Sequence, residues 1–554
     1  MNRFFAFACL VLLFAPCTAF QITEFCPDPY LPDDTDEYLI LSGSGSLDGI
    51  TISDGEGGFR FPPGTVINGK VTVARSAAAF NTSHGYFPDF EWYGTSPGTP
   101  DVISGKKLRM ANTRDELMVY YGSTLLQQVS WPADVKAREG QVHYLENGTW
   151  DKRPLFLGQS RFEPELFRNV TVTAFVSPDS SATVFSAAVA SVRRSLYVNV
   201  YEFTSPALAQ TLVDARNRGT EVLVLVEGGP VGGISPEEKT ILSMLNQSGI
   251  PVFMMVSTEK EKAPYRFDHA KYMVIDGRTV FLTSENFKGS GVPPAGFRGN
   301  RGWGVMCDDP ALAAYFERVF TSDIRMVNSI PTQGTPGPAE TAPVTTYIPE
   351  FPAQRFTGVD VVPILSPDTS YLLIDLINSA KETIDIEQAY ITNESESTLN
   401  PYLATAINAS RRGVHVRVLL DSYWYNTGDE QDNDEMAATI NRIAAAEHIP
   451  LEAKCAEIAL SNIEKIHNKG VIVDNSSVLI SSINWNSNSP NFNRESGLIL
   501  RDNRVANYFR QVFEDDWQPS VPRADKGTNT SRYAALALVI FMLLVLYWYR
   551  RRRG

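Results

Sequence analysis

Two stretches of this 554-residue chain carry the same reactive side chains at the same spacing. In the first, His269 and Lys271 are followed by Asp276, Ser284 and Asn286; in the second, His467 and Lys469 are followed by Asp474, Ser482 and Asn484. In both, the asparagine stands seventeen residues after the histidine and ten after the aspartate. The chain has only six histidines, and two of them occupy these matched positions. Side chains two apart on an extended strand share a face, so each His–Lys pair projects together. Each copy then reads as an apolar run, Asp276-Gly277 or Asp474-Asn475, and a second apolar run, which is the pattern of a β-hairpin. A hairpin returns the serine and asparagine to the His–Lys end. Imidazole can attack phosphorus or move a proton, while ammonium and carboxamide groups hold developing negative charge. One such copy would be read as a surface turn. Two copies point to a single active site built from two halves, with chemistry at a phosphodiester.

The elements before each copy repeat as well. Val176-Ser-Pro-Asp179 recurs as Leu365-Ser-Pro-Asp368, and each is followed by a helical stretch, Ala182 to Arg194 and Ser370 to Lys381. Alternating runs come next, Ser195 to Tyr201 and Thr383 to Ala389, with the periodicity of strands. A second helix ends at Arg218-Gly219 or Arg412-Gly413, and buried-strand patterns follow, Val222 to Glu227 and Val416 to Asp421. This order predicts an α/β fold of two pseudo-symmetric halves, 165–329 and 353–520, joined by a Pro-, Thr- and Gly-rich solvated linker over 330–352. The loop Lys288 to Asn300, rich in glycine and proline, is placed at the mouth of the site.

The paired motifs resemble the HKD motifs of the phospholipase D superfamily, whose single-chain members set two copies across one active site. The resemblance covers about residues 165 to 520 and includes Asn300-Arg-Gly-Trp-Gly-Val305 after the first motif and Asn493-Arg-Glu-Ser-Gly-Leu498 after the second. It implies a phosphodiesterase that works through a phosphohistidine, with His269 as nucleophile and His467 as acid and then base. It further implies that Lys271, Lys469, Asn286 and Asn484, with Ser284 and Ser482, hold the phosphate. Asp276 and Asp474 either orient the imidazoles or only shape the hairpins. Glu495 matches a carboxylate that orients a histidine in this family. Gly302 stands at the corresponding place in the first copy, which leaves one imidazole without that partner. No metal and no cofactor are expected, because the lysines supply the positive charge.

The first nineteen residues, with one basic residue, an apolar core from Phe4 to Ala15 and Cys17-Thr-Ala19, read as a secretory signal cleaved before Phe20. From 20 to 164 short β runs alternate with Gly, Asp and Pro, which predicts a small all-β sandwich and a connector. Ile22-Thr-Glu-Phe25, Asp36 to Leu41 and Phe61-Pro-Pro-Gly64 resemble a lamin-tail domain, an immunoglobulin-like sandwich. His84 and His143 within it read as packing residues. Its ligand is left open. After a stalk over 521–532, Tyr533 to Tyr549 is free of charge and Arg550 to Arg553 follow at once. Seventeen residues at about 1.5 Å each reach about 26 Å, enough for a short single transmembrane helix with a basic cytoplasmic tail at 550–554. The same layout also resembles tails removed by sortase-like enzymes.

The chain carries a net charge of −14, and without Arg3 and the four tail arginines it has 44 basic against 63 acidic residues. Such a body does not attract polyanions over long range, which disfavours a nuclease without removing the option of a local basic groove. Beyond the signal only Cys26, Cys307 and Cys455 remain, too few for a disulfide framework. The expected protein is therefore a phospholipase D-type phosphodiesterase or phosphatidyltransferase, held at the cell membrane with its catalytic body outside the cytoplasm. Phospholipid is the favoured substrate. An extracytoplasmic nuclease and a non-catalytic surface scaffold are the alternatives.

Overall fold

The computed structural model describes residues 20–519, apart from 137, 258–261, 326–336, 339, 342–343, 396 and 428–431. The signal segment and the 533–549 span lie outside the described residues. Among the described residues, no helix is long and apolar enough to cross a membrane. The chain divides into two compact units at Gln159–Ser160.

The first unit is β-rich. One sheet runs Thr149–Trp150, Gln141–Glu146, Gln21–Cys26, Tyr38–Ser46, Val66–Ala74, Phe90–Glu91. The other runs Ile103–Ser104, Gly58–Arg60, Ile50–Ser53, Thr113–Tyr121, Thr124–Lys136. Inward-facing residues of both, including Phe25, Leu41, Ile52, Phe59, Leu117 and Val119, share one core. The two histidines of this unit pack on rings: His84 stacks on Phe80 with centroids 3.7 Å apart, and His143 stacks on Phe25 at 4.7 Å. Burial pushes His84 down to about 4, as expected for an imidazole used as packing rather than as a titrating group.

The second unit is organised by one sheet of fourteen strands among the described residues, and the order is mirrored about its middle. Phe167–Ser177 and Gln354–Ser366 pair antiparallel at the centre. Outward from them lie Gly302–Asp308 on one side and Glu495–Arg501 on the other. Next come the two motif hairpins, Lys271–Ile275 with Thr279–Thr283, and Lys469–Val473 with Ser477–Ser481. Beyond the hairpins, Ser195–Val200 and Thr383–Gln388 each lead to two parallel outer strands. The parallel pairs require crossover helices, and Pro206–Asn217 and Pro401–Arg411 open with a capping Ser205 or Asn400 just before a proline, as helix starts do. One face of the sheet carries a core common to both halves, built around the helices Pro310–Arg325 and Asn503–Trp517. The opposite face carries a separate core in each half.

The described end of the expected linker is packed rather than solvated. Tyr347 is buried, and its hydroxyl, together with the backbone amides of Glu350 and Phe351, donates to the Asp179 carboxylate. The apolar, aromatic residues that close this stretch have a core to join, which its proline content alone does not reveal.

Candidate active site

The two halves meet by exchanging backbone. The His269 amide donates to the Arg494 carbonyl at 2.8 Å, and the His467 amide donates to the Arg301 carbonyl at 2.9 Å. Each motif is thus seated on the Asn-Arg segment of the opposite half. Those arginines are fully buried and act as latches. Arg301 pairs with Asp179 at 2.6 Å in its own half and with Asp516 at 2.7 Å in the other; Arg494 pairs with Asp368 at 2.9 Å and with Asp323 at 2.9 Å in the same crossed manner. Asp179 and Asp368 are the aspartates of the repeated Ser-Pro-Asp, whose purpose the sequence leaves unassigned. Buried charges must be paired and hydrogen-bonded, and here each guanidinium has a carboxylate from each half.

Both imidazoles reach one cleft of about 610 Å³, lined also by Asn286, Asn484, Glu285, Tyr201 and Tyr390. His269 Nδ1 lies 2.7 Å from Glu495 Oε2, and His467 Nδ1 lies 3.2 Å from Glu285 Oε1. A carboxylate only accepts, so the Nδ1 of His269 carries the proton and Nε2 is left for the cleft. Glu285 was not anticipated. The expectation that Gly302 leaves one histidine without a carboxylate is corrected by it: the acid comes from inside the Ser284–Asn286 segment instead. Comparing Thr283-Ser-Glu-Asn286 with Ser481-Ser-Ile-Asn484 would have exposed it, because glutamate there stands opposite isoleucine.

Beneath the histidines, Lys271 and Lys469 are fully buried, and each ammonium donates to the carbonyl of its own motif histidine, at 2.7 Å and 2.6 Å. Burial pushes Lys271 down to about 8, against the pull of Glu495 and other carboxylates. Burial and the neighbouring Lys271 push Lys469 down to about 7. Burial also lowers both imidazoles, and Lys271 and Lys469 push both further down; for His269 the Glu495 carboxylate opposes this, whereas Lys465 adds to it at His467. In the opposite direction, burial pushes Glu285 up to about 7 despite Lys469 and the Asn300 amide.

The remaining expected site residues divide. Asn286 and Asn484 face the cleft, with the Asn286 amide donating to Glu202 at 2.9 Å. Lys288, Ser290, Gly291 and Asn300 line it, so the glycine- and proline-rich loop does stand at its mouth. Ser284 and Ser482 are fully buried and brace the frame: each hydroxyl accepts a backbone amide, from Trp303 at 3.1 Å and Ser496 at 3.0 Å, and Ser482 donates to Glu495 at 2.6 Å. Asp276 and Asp474 do not join the site. Each sits in the hairpin turn at positive φ, five strand residues away from the histidine end, or about 17 Å. Asp276 accepts the amides of Arg193, Arg194 and Ser195; Asp474 accepts those of Lys381, Glu382 and Thr383. They fix the entry of a neighbouring strand, and an imidazole-orienting role is excluded by their place at the wrong end of the hairpin.

Crossed halves, two imidazoles over buried lysines and a duplicated sheet define the phospholipase D superfamily, and this chain belongs to it. The family model that matches, described as the cardiolipin synthase, PLD-like domain, aligns with residues 186–324 and 373–517. Among curated proteins, the chain is similar to the mitochondrial cardiolipin hydrolase of Xenopus tropicalis, 33% identical over 126 residues that make up 22% of this chain and 51% of that protein. The chain thus spans about half the length of the curated relative it matches. Among solved structures, phosphatidylserine synthase from Haemophilus influenzae Rd KW20 aligns over 62% of this chain and 85% of its own, at 13% identity and a TM-score of 0.46. The phospholipase D family member Nuc from Salmonella typhimurium aligns over 31% of this chain and all of its own, at 22% identity and a TM-score of 0.25.

Proposed function

We propose that this protein is a phospholipid phosphodiesterase or phosphatidyltransferase that works through a covalent phosphohistidine, and that it is anchored in the cell membrane with its catalytic unit outside the cytoplasm. The observation that carries the chemistry is the pair of imidazoles in one cleft, each with Nδ1 on a buried carboxylate. His269 is assigned as nucleophile, because its 2.7 Å contact with Glu495 stabilises the charge that a phosphorylated imidazole ring acquires. In the first step His269 Nε2 bonds to phosphorus, the bond to the leaving alcohol oxygen breaks, and that oxygen takes a proton from His467. In the second, water or an alcohol attacks phosphorus, loses its proton to His467 and releases His269. Burial and the neighbouring lysines hold His467 low; a bound phosphodiester anion would offset the lysines' field and let the ring hold the proton it must donate.

Lipid is favoured by the mouth of the cleft. Trp424 is 73% exposed, Tyr425 53% and Val231 82%, and the last two line the cleft itself. Aromatic and aliphatic side chains left in water beside a phosphate-reactive site suit a membrane interface, where one end of the substrate stays apolar. The acidic balance of the chain works against a polyanionic substrate. We further assign residues 20–164 to a lamin-tail-like domain that presents the enzyme to its surroundings.

The test is acid-quench trapping of labelled phosphohistidine with mixed phospholipid vesicles and with single-stranded DNA. Label on His269 from lipid alone is the expected result. Label from DNA alone makes the protein a nuclease, and no label with either substrate ends the covalent mechanism.

A further inference from the structure

The first half lacks a carboxylate where the second has Glu495, and the structure shows what stands in its place. A Cβ built on Gly302 falls 2.3 Å from Glu285 Oε1 and 2.7 Å from its carboxyl carbon. A glutamate at 302 and a glutamate at 285 would therefore send their carboxylates to one spot. The surroundings of that spot match in the two halves: Asn300 donates to Glu285 at 2.9 Å, and Asn493 donates to Glu495 at 3.1 Å. Ser284 and Ser482 occupy equivalent braces beside them. At the position equivalent to Glu285 the second half has Ile483, which is fully buried in its apolar core. The acid of the first half is attached at 285, and glycine at 302 leaves it the space.

We infer that Glu285 is the positioning residue for His467, a relocated counterpart of Glu495, and that Gly302 is glycine because Glu285 fills the space its side chain would need. The inference rests on the phosphodiesterase reading above and adds to it how the second imidazole is held. Glu285 accepts from His467 Nδ1, keeps Nε2 toward the cleft and stabilises the ring when it carries the proton for the leaving oxygen. It acts through the ring of His467. Its removal leaves binding in place and slows the steps in which His467 moves a proton.

Three variants test this: Glu285→Gln, Glu285→Ile, and Glu285→Ile combined with Gly302→Glu, which rewrites the first half in the pattern of the second. Turnover on phospholipid vesicles is expected to fall about 100-fold in Glu285→Ile, in kcat with KM little changed, as for other residues that orient a reactive side chain. The double variant is expected to recover most of that loss. Histidine-¹⁵N spectra of the full chain give a reading independent of activity. The His467 ring signals should move toward a mixed tautomer in Glu285→Gln and Glu285→Ile and return in the double variant. Wild-type turnover and unmoved His467 signals in both single variants would overturn the inference. A double variant that melts like the wild type yet gains nothing over Glu285→Ile would overturn the equivalence of the two positions. A wild-type protein without turnover on any diester sinks the phosphodiesterase reading, while His467 signals that still respond to Glu285 uphold the positioning role.

Discussion

The two halves share one strand order and differ in how each imidazole is held. His269 sits tightly against a glutamate that comes from the strand after the second motif; His467 sits more loosely against one inside the segment Ser284–Asn286. Burial lowers both rings, and Lys271 and Lys469 act on both; the Glu495 carboxylate opposes them at His269, whereas Lys465 adds to them at His467. A duplicated scaffold can therefore keep one geometry while its two rings diverge in proton affinity. That is what a nucleophile and a proton carrier require of one another.

The comparison can be broken at its centre by removing each ring. His269→Ala is expected to lower turnover by about 10⁵-fold or more, as loss of a nucleophile does. His467→Ala should cost about 10²–10⁴-fold on a phospholipid and much less on a diester whose leaving group needs no proton. Steady-state rates on the two substrate types decide this; equal losses for both variants on both substrates would erase the assigned division of labour.

The latches offer a structural comparison. Truncating Arg301 or Arg494 to alanine removes the buried guanidinium that a carboxylate from each half pairs with and is expected to cost about 3–5 kcal/mol of stability, read from urea denaturation. Arg494 also contacts the Tyr265 and Ser160 hydroxyls, so its loss should be the larger of the two.

pH sharpens the asymmetry further. Glu285, at about 7, loses its proton and becomes an acceptor as pH rises, whereas Lys469, also at about 7, loses its charge over the same range. The kcat/KM profile should be a narrow bell near pH 7, and its limbs belong to the coupled cluster rather than to single groups. For stability the signs are opposite. Glu285 holds its proton more tightly folded than unfolded, so its contribution is lost as pH rises through about 7; the buried Lys469 charge penalises folding at low pH and is relieved as pH rises above about 7.

The smallest effect is expected at the hairpin aspartates. Asp276→Asn or Asp474→Asn should cost about 1–2 kcal/mol through weakened bonds to the strand-entry amides, with turnover per folded molecule unchanged. A specific loss of kcat would return these residues to the catalytic account.

The motif spacing made the hairpins, the paired histidines and the order of the duplicated strands legible, because strand periodicity and turn residues are local signals. The crossover helix Pro236–Gln247 and the leading strand Phe167–Ser177 went unread, since their patterns announce nothing about which strand they will neighbour. Within the site, the aspartates were the most misleading. Their fixed distance from the histidines looks like chemistry, yet on a strand that distance is a length. Glu285 was hidden for the reverse reason: it reaches its partner across 182 residues, and no spacing rule spans two halves.

The crossed guanidinium–carboxylate pairs bear on how such a chain could be divided. Cut between residues 329 and 353, each fragment would keep one arginine with one of its two carboxylates, and one helix-borne aspartate, Asp323 or Asp516, separated from the arginine it pairs with across the halves. Neither piece would be expected to persist in water alone, yet mixed during refolding they should find one another and regain turnover. What duplication gave this chain is a pair of interlocked halves that happen to share a peptide thread.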